Sequence, residues 1–390
     1  MNYMYKYHCL NPISDIGMNE LTEEYVAAGK PEEADAILVR SASMHEMEFS
    51  KELKAVARAG AGVNNIPLER CAEEGIVVFN TPGANANGVK ELVIAGLLLA
   101  SRDIIGGINW VQENEEDGNI AKDAEKAKKA FAGCEIEGKK LGVIGLGAIG
   151  VLVANAAANL GMDVYGYDPY VSVDSAWRLS RSIHHAKTVD ELYQECDYIT
   201  IHVPALESTK GMIDRDALGL MKKGVVVLNF ARDVLVDEEA MIDALVSGQV
   251  KHYVTDFPTP VIAGVKGTIV IPHLGASTAE SEDNCAKMAA KELRNYLENG
   301  NIKNSVNYPD SDMGLRGDHT RILLLHHNIP NMLGQFTKIL AKDNINIADL
   351  SNKSKGGYAY TMIDIDTPMP DSVVDELKAV GDVLRVRVLR

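Results

Sequence analysis

The sequence predicts an α/β protein built on a doubly wound parallel sheet, with a separate βαββαβ unit at its C-terminal end. Three observations carry this. Short β-branched runs alternate with helical patterns through most of the chain, one glycine-rich turn sits between a strand and a helix, and a strand–helix–strand–strand–helix–strand succession follows residue 317.

Taken in order, Ala36–Ala42 (AILVRSA), Leu53–Ala59 and Gly75–Asn80 (GIVVFN) are expected strands of a parallel sheet. Val89–Ala100 is apolar enough for a buried helix, which ends before Arg102 and crosses from one domain to the next. Asn109–Lys129 is charge-rich and has no β-branched run. A buried strand restarts at Lys140–Ile144, and further strands follow at Val164–Tyr167, Tyr198–Val203, Val225–Asn229, His252–Asp256 and Thr268–Ile271. The long helix Ser277–Asn299 opens on Ser277 with Glu280 three residues on, a capping-box pattern, and stops at Gly300. Residues 301–318, rich in Asn, Asp, Pro and Gly, suggest one short strand and a linker. Beyond them come strand Thr320–His326, helix Met332–Asp343, strands Ile347–Ser351 and Tyr358–Ile365, helix Asp371–Ala379 and strand Val383–Leu389. No period of 20–50 residues recurs, which excludes a solenoid.

The 390 residues exceed a usual single domain. With 55 acidic against 39 basic residues and a formal charge of −16, the chain has no long-range attraction for nucleic acid or anionic membrane. An anionic substrate therefore needs a local arginine cluster. Cys9, Cys71, Cys134, Cys196 and Cys285 are scattered without a C-x-x-C pair and are expected as reduced thiols. Neither a signal-peptide pattern nor a membrane-length apolar run is present, so a cytoplasmic location is expected. No metal site is expected.

Strand KLGVI runs directly into Gly145-Leu146-Gly147-Ala148-Ile149-Gly150, and an alanine-rich helix follows. In that setting G-x-G-x-x-G is a dinucleotide cradle. Gly145 makes the tight turn, Gly147 lets the backbone approach a pyrophosphate, Gly150 lets helix and strand pack closely, and the anion rests on free N–H groups at the helix start. Asp168, 18 residues after Gly150, ends the next strand where a carboxylate accepts from the adenosine ribose and repels a 2′-phosphate, which favours NAD over NADP. A ligand-free turn with a capping aspartate is the plain alternative.

NFARDVLVDEEA around Arg232, IPHLGAS around His273 and NTPGANANGVKELV from Asn80 resemble segments of the D-2-hydroxyacid dehydrogenases, and the resemblance covers nearly the whole chain. It implies a Rossmann nucleotide-binding domain (89–275) inserted in a flavodoxin-like substrate domain (1–88 and 276–308), followed by an ACT-like regulatory domain (317–390). It also implies that His273 takes the hydroxyl proton as hydride leaves C2. Arg232 holds the substrate carboxylate and polarises the growing carbonyl. The implied cofactor shell comprises Gly147, Ala148, Ile149, Asp168, His202, Val203, Pro204, Thr209, Phe230, Ala231, Arg232, Asp256, His273 and Gly275, with Asp256 facing the nicotinamide amide.

Arg40, Arg58 and backbone N–H groups near Ala61 and Gly62 match positions that, in members of the family acting on 3-phosphoglycerate, bind the phosphorylated acid; a surface ion pair is the alternative for the arginines. His326, Asn328 and Asn346 match positions that bind L-serine across a dimer interface, against the alternative of a ligand-free dimerisation module. A homo-oligomer, dimer or tetramer, is implied. Three departures stand out, one of them Asn64 where the family usually carries aspartate, a change expected to affect a turn rather than the chemistry. The family's glutamate beside the histidine is missing from Asp256-Phe257-Pro258-Thr259-Pro260, leaving Glu280 or Glu282 as stand-ins, and Asn331 replaces a usual glycine. Asparagine tolerates left-handed backbone angles, so that loop can be kept. Alternative activities are another D-2-hydroxyacid dehydrogenase, such as a glycerate or hydroxypyruvate reductase, or a non-catalytic NAD(H)-sensing binding protein of the corepressor type.

Overall fold

The structure, a computed structural model, describes residues 3–390; the first two positions of the expected first domain lie outside the described residues. It divides into two compact units. One takes in the described residues up to Ala84 together with Ala279–Arg390, the other Asn85–Thr278.

In the first unit, strands β1 (Tyr5–Cys9), β2 (Tyr25–Ala27), β3 (Ala36–Val39), β4 (Ala55–Arg58) and β5 (Val77–Phe79) form a parallel sheet in the order β2-β1-β3-β4-β5. This is the flavodoxin-like strand order. Period-two alternation sends Ile37, Val39, Val56 and Val78 into one layer with Leu53, Ile66 and Cys71. Leu38, Ala55, Ala57 and Phe79 go into the other, against Cys285, Ala289, Leu293 and Tyr296 of the helix Ala279–Asn299.

The second unit holds β6 (Lys140–Ile144), β7 (Asp163–Tyr167), β8 (His184–His185), β9 (Tyr198–Ile201), β10 (Val225–Asn229), β11 (Val250–Thr255) and β12 (Thr268–Val270). They form one sheet in the order β12-β11-β10-β9-β6-β7-β8, with every pair parallel. The chain reverses its direction of travel across the sheet between β6 and β9, the point where ligands bind doubly wound folds. Residues that the sequence leaves without structure form helices Ile104–Glu113 and Ile120–Ala127, neither of which buries a residue within this chain. Asp103 caps the first of them, its Oδ1 accepting the Gly106 N–H at 2.9 Å. No helix of the described residues is long and apolar enough to cross a membrane.

The tail contributes β13 (Thr320–His327), β14 (Ile347–Lys355), β15 (Tyr358–Ile365) and β16 (Val383–Leu389), an antiparallel sheet ordered β14-β15-β13-β16. Alternation again sorts the side chains. Ile322, Leu324, Ile363 and Ile365 pack with Met332, Phe336, Leu340, Val373 and Leu377 of the tail's own two helices. Leu323, Leu325, Tyr360, Met362 and Leu389 face the other way and join the core that holds Phe79, Leu293 and Tyr296. The tail sheet is therefore buried on both faces and belongs to the first unit.

Polar groups stitch this joint. Arg321, 1% exposed, makes a two-pronged pair with Asp364 at 2.7 and 2.8 Å and donates to the carbonyls of Asn299, Gly314 and Met313. Arg387 donates to Leu297 O at 3.0 Å and lies over the Tyr296 ring. Tyr360 donates to Gly300 O at 2.6 Å. The expected linker is part of the same fabric: Ser305 bridges to Phe79, Asn307 exchanges hydrogen bonds with Val78 N–H and Ile76 O, and Tyr308 donates to Ala72 O.

One buried carboxyl in this joint makes stability depend on pH. Glu292 accepts from Asn304 Nδ2 at 2.7 Å through Oε1, while its buried Oε2 has no partner among the described residues. Burial pushes its pKa up from 4.5 to about 8. Because the folded value lies above the unfolded one, the native state holds this proton more tightly, so stability is full below about pH 4.5 and is lost as pH rises through about 8. Glu292→Gln keeps the acceptor and removes the ionisation. Thermal melts at pH 5 and pH 9 are expected to show little change at pH 5 and a melting temperature higher by about several degrees at pH 9; equal shifts at both pH values would refute the linkage.

Candidate active site

Each loop of the predicted cofactor shell leaves the carboxyl end of a parallel strand in the second unit. Gly145 follows β6, Asp168 β7, His202 β9, Phe230–Arg232 β10, Asp256 β11 and His273 the turn after β12. Parallel pairing puts these ends on one edge of the sheet, and several are in contact. Gly145 has φ +91°, and a Cβ there would stand 2.6 Å from His202 O. A Cβ on Gly150 would stand 1.9 Å from Gly145 O, so the turn closes only with glycine at both positions.

Gly147 is different: its φ is −74° and a Cβ there would meet nothing within 4 Å. Neither packing nor backbone angle requires a glycine, and the space beside it is open to a ligand. The helix it opens, Ala148–Asn159, has no side-chain cap, which leaves its first N–H groups for an anion. A pyrophosphate fits this cradle. A second sign of fit is the buried Asp256 Oδ1, which has no partner among the described residues, while Oδ2 accepts from Gly275 N–H at 3.0 Å. Burial raises the Asp256 carboxyl above the usual range. An amide N–H would satisfy the orphan oxygen.

Asp168 also holds the turn from outside, with Oδ2 accepting Leu146 N–H and Oδ1 accepting Tyr170 N–H, each at 2.8 Å. His202 pairs with Thr200 Oγ1 at 2.9 Å, its Nδ1 is buried without a partner among the described residues, and burial lowers its pKa to about 3. A neutral ring results. Val203 packs beside Gly145, while Pro204 and Thr209 belong to an exposed loop closed by Thr209 donating to Pro204 O at 2.6 Å. Asn229, which sequence reasoning missed, governs the Arg232 loop: its Oδ1 accepts Ala231 and Arg232 N–H groups, and its Nδ2 donates to Arg232 O at 2.8 Å. A buried asparagine ending a strand, followed within three residues by the candidate arginine, was the signal available.

Arg232 and His273 are both exposed. The His273 N–H donates to Asp256 O at 2.8 Å, and its ring meets the edge of Phe257 with centroids 4.9 Å apart.

In the first unit, Arg40 follows β3 and Arg58 ends β4, with Val39 and Arg58 in register. Arg58 Nε donates to Arg40 O at 3.1 Å. Asn11, also missed from the sequence, accepts the N–H groups of Arg40, Ser41 and Ala42 through its Oδ1. Ala61 O accepts from Asn80 Nδ2 at 2.6 Å, and Gly62 lies in the same loop. Arg40 forms an ion pair with Glu282 at 2.7 Å, so that acid, a candidate for the missing catalytic carboxylate, is bound to an arginine; Glu280 lies exposed in the same first helical turn.

The candidate effector residues divide. His326 is 2% exposed, and both ring nitrogens are occupied, by His327 O and Thr361 Oγ1. Asn328 and Asn346 are exposed, with side chains on Gly356 O and Asp366 Oδ2. Asn331 adopts the left-handed conformation at φ +68°.

Residues 94–275 match the family of D-isomer specific 2-hydroxyacid dehydrogenases, NAD binding domain. A D-3-phosphoglycerate dehydrogenase of Haemophilus influenzae is 31% identical over 88% of this chain and 83% of its own. One of Methanocaldococcus jannaschii is 33% identical over 82% of this chain, which spans 62% of that longer protein. The NAD+-bound 3-phosphoglycerate dehydrogenase structure from Entamoeba histolytica matches with TM-score 0.60 at 28% identity, over 78% of this chain and 98% of that one. Sheet, cradle and these similarities define an NAD-dependent oxidoreductase. The chain belongs to the D-2-hydroxyacid dehydrogenase family.

Proposed function

We propose that the protein oxidises 3-phospho-D-glycerate to 3-phosphohydroxypyruvate, the first step of L-serine biosynthesis, using NAD. The observation that carries the reading is an imidazole and a guanidinium, His273 and Arg232, at the strand ends that also form the dinucleotide cradle, in a chain whose relatives are named for this reaction. When bound, NAD supplies the hydride acceptor. Gly145, Gly147, Ala148, Ile149 and Gly150 would hold its pyrophosphate, Asp168 its ribose and Asp256 its amide. His273 takes the proton of the C2 hydroxyl, and Arg232 holds the carboxylate and polarises the new carbonyl. Arg40 and Arg58 are assigned to the phosphate, with the N–H groups near Ala61 and Gly62. The domain limits set out above are proposed with these roles.

An absorbance assay at 340 nm with 3-phosphoglycerate and glycerate, each with NAD and NADP, and with 2-oxoglutarate and NADH or NADPH, tests this. Turnover is expected with 3-phosphoglycerate and NAD at a kcat/KM at least about tenfold above any other pair; preference for glycerate would favour a glycerate reductase, and no turnover with bound NADH a sensor. L-Serine is the proposed effector, through Asn328 and Asn346. Unchanged rates at millimolar serine in the same assay would remove it. A homo-oligomer is supported by helix Ile104–Glu113, where Ile104, Ile108 and Val111 lie exposed on one face at i, i+4 and i+7. Light scattering at the mass of a single chain would exclude it. The unpaired cysteines suit a reducing compartment such as the cytosol.

A further inference from the structure

The pairing of Arg40 with Glu282 has a chemical meaning beyond a surface ion pair. Arg40 is seated with unusual care. Its backbone N–H and the next two are gathered on Asn11 Oδ1, and its carbonyl accepts from Arg58 Nε. The Arg58 side chain is thus tied to the Arg40 backbone, and both arginines stand at the carboxyl ends of adjacent parallel strands in a chain of net charge −16. The carboxylate that meets them comes from the first turn of a 21-residue helix, where the backbone itself favours negative charge. Glu282 therefore stands where an incoming anion would find its partner, and Arg40 spends one of its donors on it at 2.7 Å.

Resting on the phosphoglycerate reading above, we infer that Glu282 is a positioning residue that occupies Arg40 in place of the substrate phosphate and must yield it when the phosphorylated acid binds. The exchange is cheap on one side and costly on the other. A half-exposed ion pair contributes little, so giving it up is easy. A carboxylate left beside a phosphate dianion repels it through a few ångströms of partly screened medium. Glu282 thus weakens binding of phosphorylated acids. It leaves unphosphorylated acids, which have no use for Arg40, untouched.

The test is steady-state kinetics of the full-length enzyme with Glu282→Gln and with Arg40→Ala. For E282Q, KM for 3-phosphoglycerate is expected to fall about three- to tenfold at low ionic strength, with kcat and the KM for NAD unchanged, and the gain should shrink as salt is raised. For R40A, KM for 3-phosphoglycerate is expected to rise about tenfold or more. KM for any glycerate turnover should be the same in E282Q as in the wild type. If 3-phosphoglycerate is oxidised and R40A raises its KM while E282Q leaves it unchanged or raises it, the role of Glu282 is overturned and the substrate reading stands. If R40A leaves KM unchanged, or no phosphoglycerate is oxidised at all, the phosphate assignment falls and takes the inference with it.

Discussion

Replacing His273 by asparagine is expected to lower kcat by about 10²- to 10⁴-fold, the usual contribution of a positioned general base, while the dissociation constant for NADH changes by less than about threefold. The backbone bond from His273 N–H to Asp256 O does not depend on the side chain, so the turn that carries the ring survives the substitution. Only the proposed proton acceptor is lost. The ring packs edge-on against Phe257, and the segment Asp256–Pro260 has no glutamate to orient it. Orientation must come from packing and from substrate. Stopped-flow measurement of the hydride step beside an NADH titration by fluorescence separates chemistry from binding; a kcat within tenfold of wild type would show that another group removes the proton.

The second large effect concerns stability. Asp364→Ala removes the partner of Arg321 inside a joint where the guanidinium is 1% exposed. Deleting one member of a buried pair leaves an uncompensated charge and costs about 3–5 kcal/mol. Three carbonyls still accept from Arg321, so the side chain stays tethered and cannot reach solvent. The loss should appear in the unfolding of the first unit as a whole, because Leu323, Leu325 and Tyr360 share its core. Denaturant unfolding followed by hydrogen exchange tests this: the parallel strands β3 and β4 should lose protection together with β13 and β15. Loss confined to the tail strands would mean that the tail folds on its own.

Much of the nucleotide-binding unit was legible because its strands are buried on both faces and so appear as unbroken apolar runs; Lys140–Ile144 and Val225–Asn229 coincide with the expected limits. The strands that escaped carry no such signal. β1 (YKYHC) mixes polar and aromatic residues and is only half-buried, β2 has three residues, and β8 is two exposed histidines. Helix Ile104–Glu113 turns its apolar side chains away from the chain's own core, so no buried face marks it. Loop chemistry was legible where residue type and strand end coincide, as at Gly145, Arg232 and His273. It was illegible where partners are far apart in sequence. Nothing local joins Asn11 to Arg40, Arg40 to Glu282, or Arg321 to Asn299. Residues 301–311 have the composition of a linker, yet Asn307 and Tyr308 work as mortar because their side chains bond backbone groups more than 220 residues away.

The two-sided burial of the tail sheet has a mechanical consequence. A cassette hung on a flexible tether can be gained, lost or exchanged between enzymes without harm, and can signal only by swinging. Here the tail is a bearing wall: strip it away and an oily floor holding Phe79, Leu293 and Tyr296 is laid open. Any molecule that grips the tail pushes on the same compact unit that carries Arg40 and Arg58.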